Sequence, residues 1–276
     1  MTKKIIFLDI DGTLVPGGTN VPPESAVRAI RAAQQNGHLV YLCTGRNMAM
    51  LSPLLAYGFD GVVASAGGYI QCGEKELYNH PMPTTQRDAA LKVLHENGVS
   101  CLIETKDATY ADANLTKFLA DEVTGQENSE MQRWKRAMQE DLGVRPMQEY
   151  HDEPVYKLVM MFKDEAQMAA PRAALEREFN FCMQGTSMSG DLNGELINRA
   201  FDKGRAVSKV CAALGIPVED SIAFGDSMND YEMVQAAGIG IAMEDGSPAL
   251  KAVADSVCPP VGQDGIAAAF AALHLV

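Results

Sequence analysis

The chain has 276 residues, 47% hydrophobic and 21% charged, a globular composition that excludes a disordered or fibrous chain. Lys and Arg number 23 against 36 Asp and Glu, and the resulting net charge of −13 argues against nucleic-acid and anionic-membrane partners. The longest apolar run, Ile266 to Leu273, is far short of the ~18 residues of a membrane span, and Asp9 and Asp11 interrupt the amino-terminal apolar stretch where a signal peptide would continue, so the chain reads as cytoplasmic. Lys4 to Leu8 is a short apolar run ending at charge, as suits a strand buried on both faces of a parallel sheet. Pro22 and Pro23 open an amphipathic helix with Val27, Ile30 and Ala33 on one face and Gly37 as its stop. His38 to Cys43 is the next strand, Asn47 to about Tyr57 a helix stopped by Gly58, and Val62 to Ala64 a third strand. This is a βαβαβ beginning.

From about Pro83 to Asp191 the grammar changes. Apolar segments (Ala89 to Leu94, Cys101 to Glu104, Leu158 to Phe162, Ala169 to Phe179, Phe181 to Gln184) are interrupted by polar stretches, Thr105 to Asn114 and Asp121 to Glu130 among them. The expectation is an α+β domain over 83–191 inserted into a core made of 1–82 and 192–276, with Pro81 to Pro83 and Gly190 to Gly194 as the connections. Beyond it Val207, Val210, Cys211 and Leu214 fall at i, i+3, i+4, i+7 on a helix, and Ile222 to Gly225 is a strand. A helix from about Asn229 to Ala237, the strand Ile239 to Ala242, a short helix after Ser247, a strand near Val257 and a helix from Gly265 complete the alternation. Right-handed crossovers make this an α/β fold with one doubly wound, mostly parallel sheet.

In such a sheet ligands bind beyond the carboxyl ends of the strands. Asp9 and Asp11, in DIDGT, follow the first strand two residues apart, which places both side chains on one face of an extended backbone. Two carboxylates that close need a proton or a cation between them, and a hard divalent metal supplies the latter. Asp226, Asn229 and Asp230, in GDSMND, end another strand and add oxygen ligands of the kind Mg²⁺ prefers. An aspartate at a strand-to-helix junction is also a common helix cap, so Asp226 alone supports either reading. Thr44, in CTGR, offers a hydroxyl at a second strand end; Lys203, in DKGRAV, is an ammonium at a helix start, either solvated or placed for a dianionic phosphate. A calcium loop is excluded because DIDGT lacks the later acidic ligands, and no dinucleotide or P-loop motif is present.

DxDGT after the first strand, Thr-Gly after the second, a lysine at a later helix start and GDxxND after a fourth strand together resemble the haloacid dehalogenase superfamily over the whole chain. The insertion, with its strand-like VYKLVM at Val155 to Met160, is similar to the large α/β cap of the Cof-like branch. That resemblance implies a Mg²⁺-dependent phosphatase of small phosphorylated metabolites such as sugar phosphates. It makes Asp9 the nucleophile and Asp11 the general acid and base, and gives Thr44, Gly45, Arg46, Lys203 and Asn229 to the phosphate and Asp9, Asp11, Asp226 and Asp230 to the metal. Two stretches depart from the usual pattern, SAGG at 65–68 and NRAFDKG at 198–204. A phosphomutase shares the same core motifs, and a receiver-type phosphoaspartate module shares several; the second aspartate and the long insertion favour turnover. The implied state is a monomer or homodimer.

Elsewhere Met131, Trp134 and Met138 read as a core-facing helix stripe, Arg133, Lys135 and Arg136 as a solvated basic face, and the six scattered cysteines as reduced, packed thiols.

Overall fold

The computed structural model describes residues 2–120, 129–186 and 192–276. In chain order these form β1 (Ile5–Leu8), α1 (Glu24–Gln35), β2 (Leu39–Cys43), α2 (Ser52–Leu55), β3 (Gly61–Ala64), β4 (Tyr69–Cys72), β5 (Lys75–Asn79), α3 (Thr84–Glu96), β6 (Ser100–Thr105), β7 (Thr109–Ala111), α4 (Ala113–Ala120) and α5 (Ser129–Gln139). There follow β8 (Val144–Pro146), β9 (Val155–Phe162), α6 (Ala169–Leu175), β10 (Phe179–Thr186), β11 (Leu192–Asn198), α7 (Lys203–Leu214), β12 (Ser221–Gly225), α8 (Tyr231–Ala236), β13 (Ile239–Met243), α9 (Pro248–Lys251), β14 (Ser256–Cys258) and α10 (Gly265–Ala272). The chain divides into two compact units, one of 1–46, 53–79 and 201–276, the other of 47–52 and 80–200.

The first unit is built on an eight-stranded sheet of order β14-β13-β12-β1-β2-β3-β4-β5. Pairing is parallel from β14 to β3 and antiparallel at β4 and β5. Strand alternation sends Ile5, Phe7, Tyr41 and Cys43 to one face, where Val207, Val210 and Cys211 of α7 and Met233 of α8 cover them. Ile6, Leu8, Val40 and Leu42 point the other way and are equally buried, which is why the strands read as continuous apolar runs. The chain leaves β1 toward β2 on one side and returns to β12 on the other, so β1 and β12 flank the point where the winding reverses.

Three features differ from the sequence expectation: residues 192–200, expected in the core, belong to the second unit, where Leu192–Asn198 pairs with β9 and β10, and the first unit resumes at Phe201. The hairpin β4–β5 was not anticipated, because its second strand, KELYN, is polar and partly exposed at the sheet edge. The helix expected over 47–57 is a short 3-10 turn, Ala49–Leu51, followed by the single turn α2. Asn47 Nδ2 there donates to the carbonyls of Thr105 and Ala108, drawing Asn47 to Ser52 into the second unit, and Pro53 lacks the N–H a longer helix would need.

The second unit is a six-stranded sheet of order β10-β11-β9-β6-β7-β8, antiparallel except for β7 with β8. One face packs Cys101, Ile103, Leu158, Met160 and Leu196 against Ala90 and Leu94 of α3 and Leu175 of α6. The other packs Leu102, Val159 and Met161 against Leu115 and Leu119 of α4 and Trp134 and Ala137 of α5. Trp134 therefore lies in the core and the partly buried Met138 packs against it, on the side the helical stripe predicts, whereas the Met131 side chain is outside those described. The solvated basic face is not found at Lys135, which is buried with Nζ 4.6 Å from the centre of the Phe118 ring; its aliphatic stem packs while the aromatic face receives the charge.

Lys157, in the middle of β9, is fully buried; its Nζ lies 3.1 Å from Glu104 on β6 and donates to Glu195 on β11. Burial, opposed by Lys157 and reinforced by Glu195, pushes the Glu104 carboxyl up to about 6. Removing the cation leaves two buried acids facing each other, so Lys157→Met is expected to destabilise the protein by roughly 3–5 kcal/mol, measured by urea unfolding.

Candidate active site

Asp9 follows β1 directly, anchored by its N–H donating to the Phe224 carbonyl of β12 at 3.0 Å. Asp226 follows β12, and since β1 and β12 are neighbours the two carboxylates meet at the winding reversal. One carboxylate oxygen from each of Asp9, Asp226 and Asp230 can be chosen so that all lie within 4.8 Å of one another. Gly12 lets the strand turn away with φ of +86°, and a Cβ there would stand 2.5 Å from Asp226 Oδ2, so both the conformation and the approach demand glycine.

Lys203, the first residue of α7, sits between the acids. Its Nζ donates to Asp9 Oδ1 at 2.6 Å and to Asp230 Oδ1 at 2.5 Å, and it is only 2% exposed, which rules out the solvated reading. Burial works to lower its pKa, but Asp230 and Asp9 outweigh that and hold the ammonium well above its ordinary value. Asp230 is placed by backbone: its Oδ2 accepts the N–H groups of Asp226 and Ser227, and Ser227 with Asp230 closes a capping box around the 3-10 turn Met228–Asp230. Asn229 Oδ1 accepts from the Ser227 hydroxyl at 2.8 Å.

Burial first, then repulsion from Asp230, raises the Asp9 carboxyl to about 7 against the opposing pull of Lys203. Burial, then Asp9 and Asp230, raises Asp226 to about 8. The cluster thus holds more negative charge than one lysine offsets.

Asp11 lies differently. Arg46 grips it with two hydrogen bonds, Nη2 to Oδ1 at 2.7 Å and Nε to Oδ2 at 2.9 Å, and Gly18 N–H adds a third at 3.2 Å. The buried guanidinium also donates to Asn20 Oδ1 and the Thr19 carbonyl. Arg46, expected at the phosphate, is here the partner of the second aspartate. Thr44 Oγ1 accepts the Arg46 N–H at 3.1 Å, and Gly45 is buried between them. The departing SAGG segment packs on this loop: Ser65 N–H donates to the Arg46 carbonyl and Ala66 N–H to that of Thr44, with φ of 50° and 55° at Ser65 and Ala66.

The structure therefore brings Asp9, Lys203, Asp226 and Asp230 into one cluster and links Asp11, Thr44 and Arg46 in an adjoining set. Sequence reading missed Thr13, whose hydroxyl donates to Asp226 Oδ1 at 3.3 Å although it stands inside DIDGT. It also missed Ser227, although Ser227 and Asp230 have capping-box spacing. Nothing in the sequence marks Asn20 as the partner of Arg46.

The family model of haloacid dehalogenase-like hydrolases matches residues 6–270. The chain belongs to this family. It is similar to Phosphatase YwpJ of Bacillus subtilis (strain 168), with 29% identity over 96% of this chain and 97% of that one. It is also similar to the pyridoxal phosphate phosphatase YbhA of Escherichia coli (strain K12), with 27% identity over all of both chains. In fold it resembles a haloacid dehalogenase-like hydrolase from B. subtilis at a TM-score of 0.80 and 24% identity, covering 98% of this chain and 99% of that one. The family, the α/β core with its second sheet, and the enzyme class of phosphoric monoester hydrolase are those the motifs led one to expect. Among the described residues no helix is long and apolar enough to cross a membrane.

Proposed function

We propose that this hydrolase is a Mg²⁺-dependent phosphatase of small phosphorylated metabolites that works through an aspartyl phosphate on Asp9. The observation that carries the reading is the meeting of Asp9, Asp226 and Asp230 around the buried Lys203 at the strand ends. Its oxygen-only donor set fits a hard cation, which would offset the repulsion that raises Asp9 and Asp226. Asp9 and Asp226, with the Asp11 carbonyl, would hold the ion; Asp230, with both oxygens engaged, suits the orientation of Lys203 and the loop. When bound, Mg²⁺ supplies charge neutralisation and polarisation at the phosphate.

With Lys203 on Oδ1, the second Asp9 oxygen attacks phosphorus as the bond to the leaving oxygen breaks. Asp11, protonated and released from Arg46, donates to that oxygen, then takes a proton from the water that attacks the aspartyl phosphate and regenerates Asp9. Thr44, whose Oγ1 accepts from Arg46, has its O–H for a phosphate oxygen; Asn229, whose Oδ1 accepts from Ser227, has its amide N–H groups. Lys203 balances the dianion. The pyridoxal phosphate phosphatase among the relatives makes pyridoxal phosphate one substrate to test beside sugar phosphates.

A phosphate-release screen over sugar phosphates, nucleotides and pyridoxal phosphate tests the proposal. Turnover of at least one class should vanish in chelator and return with Mg²⁺; undiminished hydrolysis by metal-stripped protein overturns it.

The raised carboxyls also set a pH dependence. Asp9 and Asp226 titrate from 3.8 to about 7 and about 8 on folding, so between those values the folded state binds more protons than the unfolded. Their contribution to stability is fully present below about pH 4 and is lost as pH rises through 7 to 8. Mg²⁺ competes with the same protons, so its affinity should rise across that window. In chelator, Asp226→Asn should flatten the fall of melting temperature with pH; an unchanged slope contradicts the assignment.

A further inference from the structure

We propose that His95, Cys101 and Asp112, in the second unit, form a binding site for a thiophilic divalent cation of the Zn²⁺ class. The three come from separate elements: His95 from the last turn of α3, Cys101 from the start of β6, and Asp112 from the residue after β7. Leu102 pairs with Ala111 in the antiparallel ladder, so Cys101 and Asp112 stand opposite each other one step on, and Asp112 N–H donates to the Cys101 carbonyl at 3.1 Å. Opposite residues of such a pair project from the same face with Cβ atoms about 5 Å apart. The Asp112 carboxylate turns back along that face: Oδ2 accepts the Cys101 N–H at 2.8 Å and lies 2.9 Å from His95 Nε2.

One ligand atom from each residue, imidazole nitrogen, thiol sulfur and carboxylate oxygen, lies within 4.8 Å of the others. Tetrahedral zinc with bonds of about 2.0 to 2.3 Å needs its ligands about 3.3 to 3.8 Å apart, a spacing the trio brackets, with His95 Nε2 and Asp112 Oδ2 at 2.9 Å and all three atoms within 4.8 Å. Access is built in. The His95 side chain is 45% exposed and Asp112 partly so, while Cys101 is buried behind them, leaving the outer side for a water as the fourth ligand.

The donor set decides which ion. Sulfur and imidazole nitrogen favour Zn²⁺ and its neighbours over Mg²⁺, which takes oxygen. Burial pushes the Cys101 thiol up, so its ionisation requires a cation with strong affinity for thiolate. On binding, the S–H proton leaves to solvent as the sulfur–metal bond forms, and neutral His95 gives Nε2 to the ion in place of its contact with Asp112. One thiolate and one carboxylate then neutralise the 2+ charge, which suits a half-buried position. The Cys101 N–H, holding the Asp112 carboxylate, acts as the outer-shell donor such sites use to orient a ligand.

The alternative is a hydrogen-bonded strand end with no affinity for metal. Titration of the full-length protein with Co²⁺, in excess Mg²⁺ and a thiol-free reductant, separates the two. The site predicts a near-ultraviolet thiolate-to-Co²⁺ charge-transfer band with four-coordinate visible bands, bleached by Zn²⁺. Cys101→Ser should abolish the band, and His95→Gln should weaken Co²⁺ binding by about tenfold or more. Cys72→Ser and Cys182→Ser, at the partly exposed cysteines, should leave it unchanged. No charge-transfer band in wild-type protein of native circular dichroism, or a band that survives Cys101→Ser, overturns the proposal. The oxygen-only acidic cluster cannot give that band, so the result is independent of the phosphatase reading.

Discussion

Asp9→Asn is expected to lower kcat/KM by at least about 10⁴-fold, on the scale of losses seen when a covalent nucleophile is removed. Asparagine keeps the shape and the contact with Lys203 but has no oxygen that can displace a leaving group. Asp11→Asn should cost roughly 10² to 10⁴, the usual worth of general acid and base. The two should also differ in kind. With an activated ester such as p-nitrophenyl phosphate the leaving group needs no proton, so Asp11→Asn should recover the first chemical step and show a burst, whereas Asp9→Asn should recover nothing. Because Asp9 is raised to about 7 by burial and by Asp230, its neutral replacement should also raise the melting temperature in chelator above neutral pH. An Asp9→Asn variant of near-normal activity excludes the covalent route.

Lys203→Met should fail in both stability and activity. The ammonium is the one cation hydrogen-bonded to both Asp9 and Asp230 among the described residues. Without it two buried carboxylates lose their partner, a change worth roughly 3–5 kcal/mol. At a few degrees per kcal/mol, the melting temperature should drop by about 10 °C, measured calorimetrically in chelator. Mg²⁺ should restore part of the stability, by offsetting the charge of Asp9, but not the turnover. A variant as stable as wild type in chelator would mean that Lys203 is not the counter-charge of this cluster.

The strand ends were the legible part of the chain. Asp9, Thr44 and Asp226 each follow an apolar run, and a doubly wound sheet leaves no other place for such residues than the edge where ligands bind. Lys203 was legible as a helix start but not as a buried residue, since its burial depends on α7 bringing residue 203 against Asp9, 194 positions away. Arg46 shows the same limit in reverse: CTGR placed it at the site, while its pairing with Asp11 depends on Asn20 and Thr19, which carry no pattern. The buried Lys157 could not be read from VYKLVM, because its acids come from β6 and β11, strands that become its neighbours only when the sheet forms. Hydrophobic periodicity placed the core strands and helices, but the local capping box of Ser227 and Asp230 went unread, and periodicity was overridden at residues 47–57, where Asn47 binds carbonyls some sixty residues away.

The central claim, that Asp9 carries the phosphoryl group, is tested most directly by trapping. Asp11→Asn protein, slow to hydrolyse an aspartyl phosphate, is mixed with p-nitrophenyl phosphate and Mg²⁺, quenched in acid within the first turnover, reduced with borohydride and sequenced by mass spectrometry. Homoserine at position 9, absent without substrate and absent when Asp9 is also replaced by Asn, is the expected result. An unmodified Asp9 after a demonstrated burst of product, or homoserine at 226 or 230 instead, contradicts it.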